Sequence, residues 1–280
     1  MRGFLNGHPI LIGIACMTAG VSLYTAVDAI VKWLVAGYAV AEVLFLRSLF
    51  ALMFLSPFVL RQWPAAALSN QPRLQLLRGG LGLAASLAFF IAFRELPLSL
   101  VVVIGFAAPL AMGVLSGPLL GESVSGRRWI ALATGFAGVV IAVKPALDAE
   151  PLGIAAAVAG TVLFAIAMIL SRRLGRTDKS LTTVFWSTLI AAGGAGLLVP
   201  WDWTPPPLFD LGLFAAAGTL AGIGNLLITQ AVRLAPVATV APFDYVQIPF
   251  AALLGWLIWS ETFLLHTLAG ASVIVLCGLY

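Results

Sequence analysis

Residues 92–97 read AFRELP, and residues 231–236 read AVRLAP. The two hexapeptides stand 139 positions apart, and the register continues beyond them. Glu122 follows Pro97 by 25 residues, and Glu261 follows Pro236 by the same 25. Phe106 and Tyr245 also match at that offset. A gapless correspondence over some thirty residues reads as an internal duplication. It divides the chain into two halves, 1–145 and 146–280.

The composition says what is duplicated. Of 280 residues, 61% are hydrophobic and 9% charged, and the mean hydropathy is +1.08. Soluble domains carry about 25% charged residues, so a chain this apolar belongs in a bilayer. Long apolar runs point to helices rather than barrel strands. Breaking them at charges, Pro, Gly and Asn predicts ten spans, near 10–36, 39–60, 75–94, 97–120, 128–144, 151–172, 180–200, 210–232, 236–259 and 262–280. The expected fold class is all-α, a polytopic membrane protein with very short connections. The repeat offset covers five spans. An odd number makes the second five-helix repeat insert upside down, and inverted repeats are an architectural mark of secondary transporters.

The charges agree. With the N-terminus in the cytoplasm, inner segments hold Arg2, Arg61, Arg73, Arg78, Arg127, Arg128, Arg172, Arg173, Arg176, Lys179 and Arg233. Outer ends hold Lys32, Arg94 and Lys144. That bias predicts both termini in the cytoplasm. The net charge of +4 is therefore a topology signal and not a nucleic-acid patch. Trp33, Trp201, Trp203, Trp256 and Trp259 fall near outer ends, and Trp63 and Trp129 near inner ends, as an aromatic belt would. Cys16 and Cys277, in the first and last spans, read as packing residues. No cleavable signal peptide stands out.

Small residues recur at four-residue steps, Gly113, Gly117 and Gly121 in the fourth span and Gly218 and Gly222 in the eighth. Such steps let helix backbones approach closely in lipid. Pro109 and Pro249 fall inside the fourth and ninth spans, where a missing N–H kinks or opens a helix.

The stretches PLAMGVLSGPLLGE (109–122), PFAALLGWLIWSE (249–261) and EVLFLR (42–47) resemble the EamA family of the drug/metabolite transporter superfamily, over the whole chain. Pro249 stands one residue nearer its glutamate than Pro109 does, so the two kinks need not be equivalent. The resemblance implies ten helices in two inverted halves around a central cavity, and export of metabolites or drugs. Length and layout are most similar to YddG-type exporters of aromatic and other neutral amino acids.

Four charges sit in DAIVKWLVAGYAVAEVLFLR (28–47). If the hairpin turns near Tyr38, Asp28 and Arg47 both lie about 14 Å from the turn at ~1.5 Å per residue. Lys32 and Glu42 are also close in depth. Asp28–Arg47 and Lys32–Glu42 bridges are therefore expected, and Asp28 and Lys32 are an i,i+4 pair on one helix face. Two readings stand: a static brace between the first two helices, or a cavity wall in which Asp28 or Lys32 meets substrate or a proton. The repeat partner of Arg47 is Trp186, so the second half lacks this network.

A second hairpin, turning near Pro236, sets Asn225 level with Gln247, with Asp244 three residues before it. Asp244 has no basic partner nearby in sequence, so it is either a cavity carboxylate or part of a polar cluster gluing two helices. Phe89 and Phe93, with Phe164 and Met168, form i,i+4 stripes that read as core, as lipid-facing or as the apolar wall of a pocket. Phe106 and Tyr245 join this cavity set. Glu122 and Glu261, just before the next helices, read as structural or gating groups.

No GxxxxGK[ST] phosphate loop is present. His8 and His266 stand far apart, and no nucleophile–base–acid set appears. The expectation is a secondary exporter of small metabolites, most of all amino acids, in a bacterial inner membrane. It needs no cofactor and no metal, is not an enzyme, and has an open oligomeric state with a monomer allowed. Export of drugs or nucleotide-sugar-like metabolites, and an integral-membrane enzyme, are the alternatives.

Overall fold

The structure, a computed structural model, describes residues 9–120, 126–143, 150–175, 177–199, 203–235, 237–261 and 265–279. The described residues form α1 (Pro9–Val35), α2 (Val40–Leu60), α3 (Pro72–Glu95), α4 (Leu98–Gly105), α5 (Ala108–Leu120), α6 (Gly126–Val143), α7 (Pro151–Leu174), α8 (Ser180–Gly196), α9 (Leu208–Leu234), α10 (Val237–Val240), a 3-10 segment (Ala241–Val246), α11 (Gln247–Trp259) and α12 (Leu265–Leu279). Glu122 and Pro236 lie outside the described residues.

Eight of the ten expected spans are one helix each. The fourth and ninth, which are repeat mates, are broken. Proline chemistry accounts for both. Pro109 has no N–H to return to the Gly105 carbonyl, so α4 stops at Gly105 and α5 starts afresh. Pro242 and Pro249 each remove a donor, and the chain from Ala241 to Val246 winds as a 3-10 helix. Pro109 and Pro249 thus sit in the first turns of new helices, not in the middle of continuous ones. The non-equivalence expected of the two kinks is real. One is a short turn and the other a six-residue 3-10 segment, because the second half carries the extra Pro242.

The two five-helix repeats interlock rather than sit side by side. α1 packs along α9, and α3 along α7. These are the same pairing, exchanged between halves at the 139-residue offset. Individual contacts repeat as well. A Cβ on Gly79 would come within 2.3 Å of the Ile190 side chain. Its mate Gly218 would meet the Arg47 carbonyl at 2.5 Å and the N–H of Ala51, the mate of Ile190, at 2.7 Å. Gln71 donates to Thr177 Oγ1 at 3.2 Å, and the matching pair Tyr38 and Asp210 is hydrogen-bonded at the other end of the molecule. Phe106 and Tyr245, mates in sequence, stack on each other with ring centroids 5.1 Å apart. Two related residues that touch must lie on the pseudo-two-fold axis, so the axis passes between these rings.

Lipid supplies little hydrophobic drive between helices, so close backbone approach carries the packing. Gly218→Ala is expected to lower the apparent melting temperature in detergent, at a cost of ~1–3 kcal/mol for overpacking against backbone. Gly80→Ala, where a Cβ meets nothing within 4 Å, should leave it unchanged or slightly raised. Equal effects of the two substitutions would remove the close-approach argument.

The core is uneven along the bundle. One large cluster takes Val27 to Val35 of α1, Val43 to Leu46 of α2, Phe90 to Ile104 across α3 and α4, Ile154 and Ala157 of α7, and Phe214 and Ala217 of α9. All of these lie toward the end of the molecule that carries Lys32. Toward the opposite end, which carries Asp178, the described residues form smaller separate clusters. Met17, Val21, Ala231, Ala235 and Val240 join α1, α9 and α10, while Ala108, Ala111 and Ala165 join α5 and α7. Among the described residues the packed core is continuous toward the Lys32 end and falls into smaller clusters toward the Asp178 end.

Candidate functional site

The division exposes an interior face. Ala157, Thr161, Phe164 and Met168 follow one another on α7 at helical steps and share one side of the helix. Ala157 is fully buried, and Thr161, 3% exposed, donates to the Ile104 carbonyl of α4 at 3.3 Å. One and two turns on, Phe164 is 44% and Met168 36% exposed. Leu152, Val158 and Val162, on the opposite side of the same helix, are exposed as well. α7 is therefore exposed on two faces. Phe164 and Met168 continue the line of the buried Ala157 and Thr161 along α7. Phe89 is wedged beside them, against Gly160 of α7 and Gly105 at the α4–α5 break. Phe93, by contrast, is 5% exposed and belongs to the sealed core. It sits one turn nearer the Lys32 end, where the helices converge.

Polar and charged side chains cluster nearby, joined to α7 through Arg78 and Ser171. Tyr24, Asp28, Arg47 and Arg78 lie deep among α1, α2 and α3, within electrostatic reach of one another. Each nevertheless keeps accessible surface. The Arg47 guanidinium stands over the Phe90 ring at 5.3 Å, a cation–π arrangement. Arg78 donates to Ser171 Oγ at 3.0 Å. No described residue forms a direct ion pair or hydrogen bond with the Asp28 carboxylate. The expected Asp28–Arg47 bridge is thus replaced by a separated pair, coupled through space.

The expected Lys32–Glu42 bridge is also replaced. Lys32 Nζ pairs with Glu261 Oε1 at 2.7 Å, and both side chains are largely buried, 11% and 15% exposed. Lys32 also donates to the Leu96 carbonyl and lies over the Trp259 ring at 5.3 Å. The Glu261 carboxylate accepts the Leu98 N–H at 3.0 Å, capping the start of α4 where the helix dipole favours a negative charge. One ion pair thereby ties α1, the α3–α4 turn and the end of α11. Local geometry aims Glu261. Ser260, in the left-handed region at φ 56°, ends α11, and the side chain folds back onto Gly255, where a Cβ would meet Glu261 Oε2 at 2.4 Å. Glu42 is fully buried and accepts the Thr204 N–H at 3.2 Å, holding the segment that enters α9. Depth matching found the level of these charges. It missed that Lys32 points across the bundle to the other repeat.

Tyr38 closes the same end from the side. Its hydroxyl donates to Asp210, and that bond pushes its pKa up to about 12. Its ring meets Phe214 edge-on at 5.4 Å. Of the second polar cluster, Gln247 donates to Asp244 Oδ1 at 2.6 Å. Asn225 instead accepts from Thr229 of its own helix at 3.5 Å, because α9 packs against α1 and α2. Asp244 and Tyr245 lie on the 3-10 segment, partly exposed. A cleft of about 760 Å³ between α11 and α12, lined by Leu253, Trp256, Leu268 and Leu276 among others, is apolar and open to the exterior. It holds none of the charged groups.

The described residues therefore combine a continuous core toward the Lys32 end, broken helices at matched positions and a cluster of charged groups among α1, α2 and α3. The model of the EamA-like transporter family matches residues 11–144 and 151–280. The chain belongs to the EamA-like transporter family. As an EamA-like protein it is an integral membrane transporter of small molecules. Three relatives align over most of their length. The S-adenosylmethionine uptake transporter of Rickettsia bellii is 26% identical over 96% of this chain and 92% of its own. The riboflavin transporter of Rhizobium johnstonii is 26% identical over 94% and 87%. The pseudopaline exporter of Pseudomonas aeruginosa is 27% identical over 90% and 89%. A solved protein structure shares the fold at TM-score 0.63 with 16% identity, covering 95% of this chain and 94% of that one. None of these names is that of a YddG-type amino-acid exporter, so the finer resemblance drawn from layout is not carried further as a family assignment.

Proposed function

We propose that this EamA-like protein is a secondary transporter that exports small amphoteric metabolites, amino acids with an aromatic or other apolar side chain among them, by alternating access through the central cavity. The observation that carries this reading is the separated charge pair. Asp28 and Arg47, an acid and a base, are coupled through space without direct contact, and in this reading both face the central cavity. An α-amino-carboxylate fits between them, its ammonium toward Asp28 and its carboxylate toward Arg47. Phe89, Phe164 and Met168 then offer an apolar wall to the side chain. Asp244 and Gln247 add polar anchors from the other repeat, and Phe106 and Tyr245 form the floor on the axis. S-adenosylmethionine, named for one relative, is itself an amino-acid derivative carrying a ring system. The repeats run 1–145 and 146–280, both termini are cytoplasmic, and the membrane is a bacterial inner membrane, following the basic-residue bias.

The test is counterflow into proteoliposomes with phenylalanine, leucine, S-adenosylmethionine and riboflavin, with and without a pH gradient. Uptake of the amphoteric compounds over riboflavin is expected. Asp28→Asn should weaken the apparent affinity for them ~10–100-fold, as loss of a hydrogen bond to a charged group costs ~1.5–3 kcal/mol. Riboflavin as the sole transported compound would overturn the substrate class.

A further inference from the structure

Lys32 has one acidic partner across the bundle, which it uses, and another acid one helical turn away on its own helix. In this conformation it bridges to Glu261. Asp28 stands four residues earlier on α1, on the same face and in the order that favours an acid–base pair along a helix. The Asp28 carboxylate is left without a direct partner among the described residues. The other charged or titratable groups that reach it are Arg47 of α2 and Tyr24 of α1. Arg47 is itself engaged with Phe90.

We propose that Lys32 exchanges Glu261 for Asp28 when the Lys32 end opens, and that it thereby expels a cationic group bound at Asp28. The Lys32–Glu261 pair, the Leu98 N–H and the Leu96 carbonyl hold the sealed end. Opening that end moves α1 away from the α3–α4 turn and from Ser260–Glu261. A lysine stripped of its carboxylate inside an apolar bundle is costly, and a one-turn swing down α1 gives it another. The exchange does two things. It lowers the cost of opening, because the ammonium is never left unpaired. It also makes Asp28 a site with high affinity for ammonium groups only while the Lys32 end is shut. Substrate release is then tied to opening by competition for one carboxylate. This last point rests on the substrate reading of Asp28 above; the exchange itself does not.

The repeat makes the device one-sided. The mate of Lys32 is Ser171, which receives the Arg78 guanidinium from α3 instead. No lysine can swing at the Asp178 end from the matching position, so competition acts at one face of the transporter.

The experiment needs no ligand. Spin labels are placed at Gly37→Cys and Arg94→Cys, both exposed at the Lys32 end, in a full-length chain with Cys16 and Cys277 replaced. Distances are read by pulsed dipolar spectroscopy in lipid nanodiscs. Glu261→Gln is expected to raise the population at the longer distance several-fold. Adding Asp28→Asn should bring it back toward the wild-type distribution, because the opened state loses the carboxylate that receives Lys32. In a Lys32→Gln background Asp28→Asn should have no effect on the distances. Opening that is as frequent in the Glu261→Gln, Asp28→Asn double variant as in Glu261→Gln alone would overturn the exchange. So would an effect of Asp28→Asn that is the same size with and without Lys32. The second comparison stands even if the first double variant does not fold. Failure of the substrate reading is seen separately, as an Asp28→Asn protein whose transport affinity is unchanged.

Discussion

Arg47→Ala is expected to reduce transport of amphoteric substrates by ~100-fold or more while the protein still inserts and melts near the wild-type temperature. The guanidinium offers a fork of donors to a carboxylate. Lost charge-assisted bonding of about 3 kcal/mol corresponds to a factor of roughly 100–200. The effect on folding is smaller. Arg47 makes no direct ion pair with Asp28 among the described residues, and its contact with Phe90 is worth about 1–2 kcal/mol. Asp28 loses a neighbour but keeps accessible surface, so no sealed, unpaired charge is created. Arg47→Lys keeps the charge and loses the planar fork, and should fall between the two. Initial rates in proteoliposomes and apparent melting temperatures of the same preparations decide the matter. A collapse of stability with no specific loss of transport per folded molecule would return Arg47 to the brace reading.

Asp178→Ala is expected to destabilise the protein by ~2–3 kcal/mol at neutral pH, the size of losing charge-assisted hydrogen bonds at one site. Asp178 sits between α7 and α8 and gathers the α2–α3 connection from the other repeat. It accepts from the hydroxyl of Ser69, from the Asn70 N–H at 2.9 Å, from the Asn70 amide at 3.1 Å and from the Gln75 amide at 2.8 Å. Gln75 is fully buried, so the substitution leaves a buried donor short of its acceptor. Burial alone would push the Asp178 pKa up, but the four hydrogen bonds outweigh it and hold the carboxyl below its ordinary value. The sign follows: the stabilisation is complete above the unfolded pKa near ~4 and is lost as pH falls through the depressed folded value. Melting temperatures of wild type and Asp178→Ala should therefore differ at pH 7 and converge below about pH 4. A gap that persists unchanged at low pH would mean that the carboxylate is not what holds the two connections together.

Much of this architecture was legible in the chain. Ten apolar runs and the 139-residue offset of Arg94, Pro97 and Phe106 from Arg233, Pro236 and Tyr245 give helix count, duplication and inversion. Those signals are local and periodic, and lipid punishes any departure from them, since no unsatisfied backbone can face hydrocarbon. Proline positions also located the broken spans, though Pro242, which lengthens the second break into a 3-10 segment, was passed over. Phe164 and Met168 were marked as an i,i+4 stripe, but a stripe has the same spacing whether it faces lipid, core or cavity.

What the sequence by itself determined is depth along the membrane and the identity of the two halves. Both follow from distance along a helix of known rise. What only the tertiary structure decided is azimuth, the direction in which each side chain points around its helix. Lys32 and Glu42 are close in depth, yet Lys32 reaches Glu261 in the other repeat and Glu42 holds Thr204. Asp28 and Arg47 are level, yet they make no direct bond. Azimuth depends on which helices are neighbours. The interlocking of α1 with α9 and of α3 with α7 is a long-range choice, made by close contacts such as Gly20 against Gly224, that no single stretch of the chain encodes.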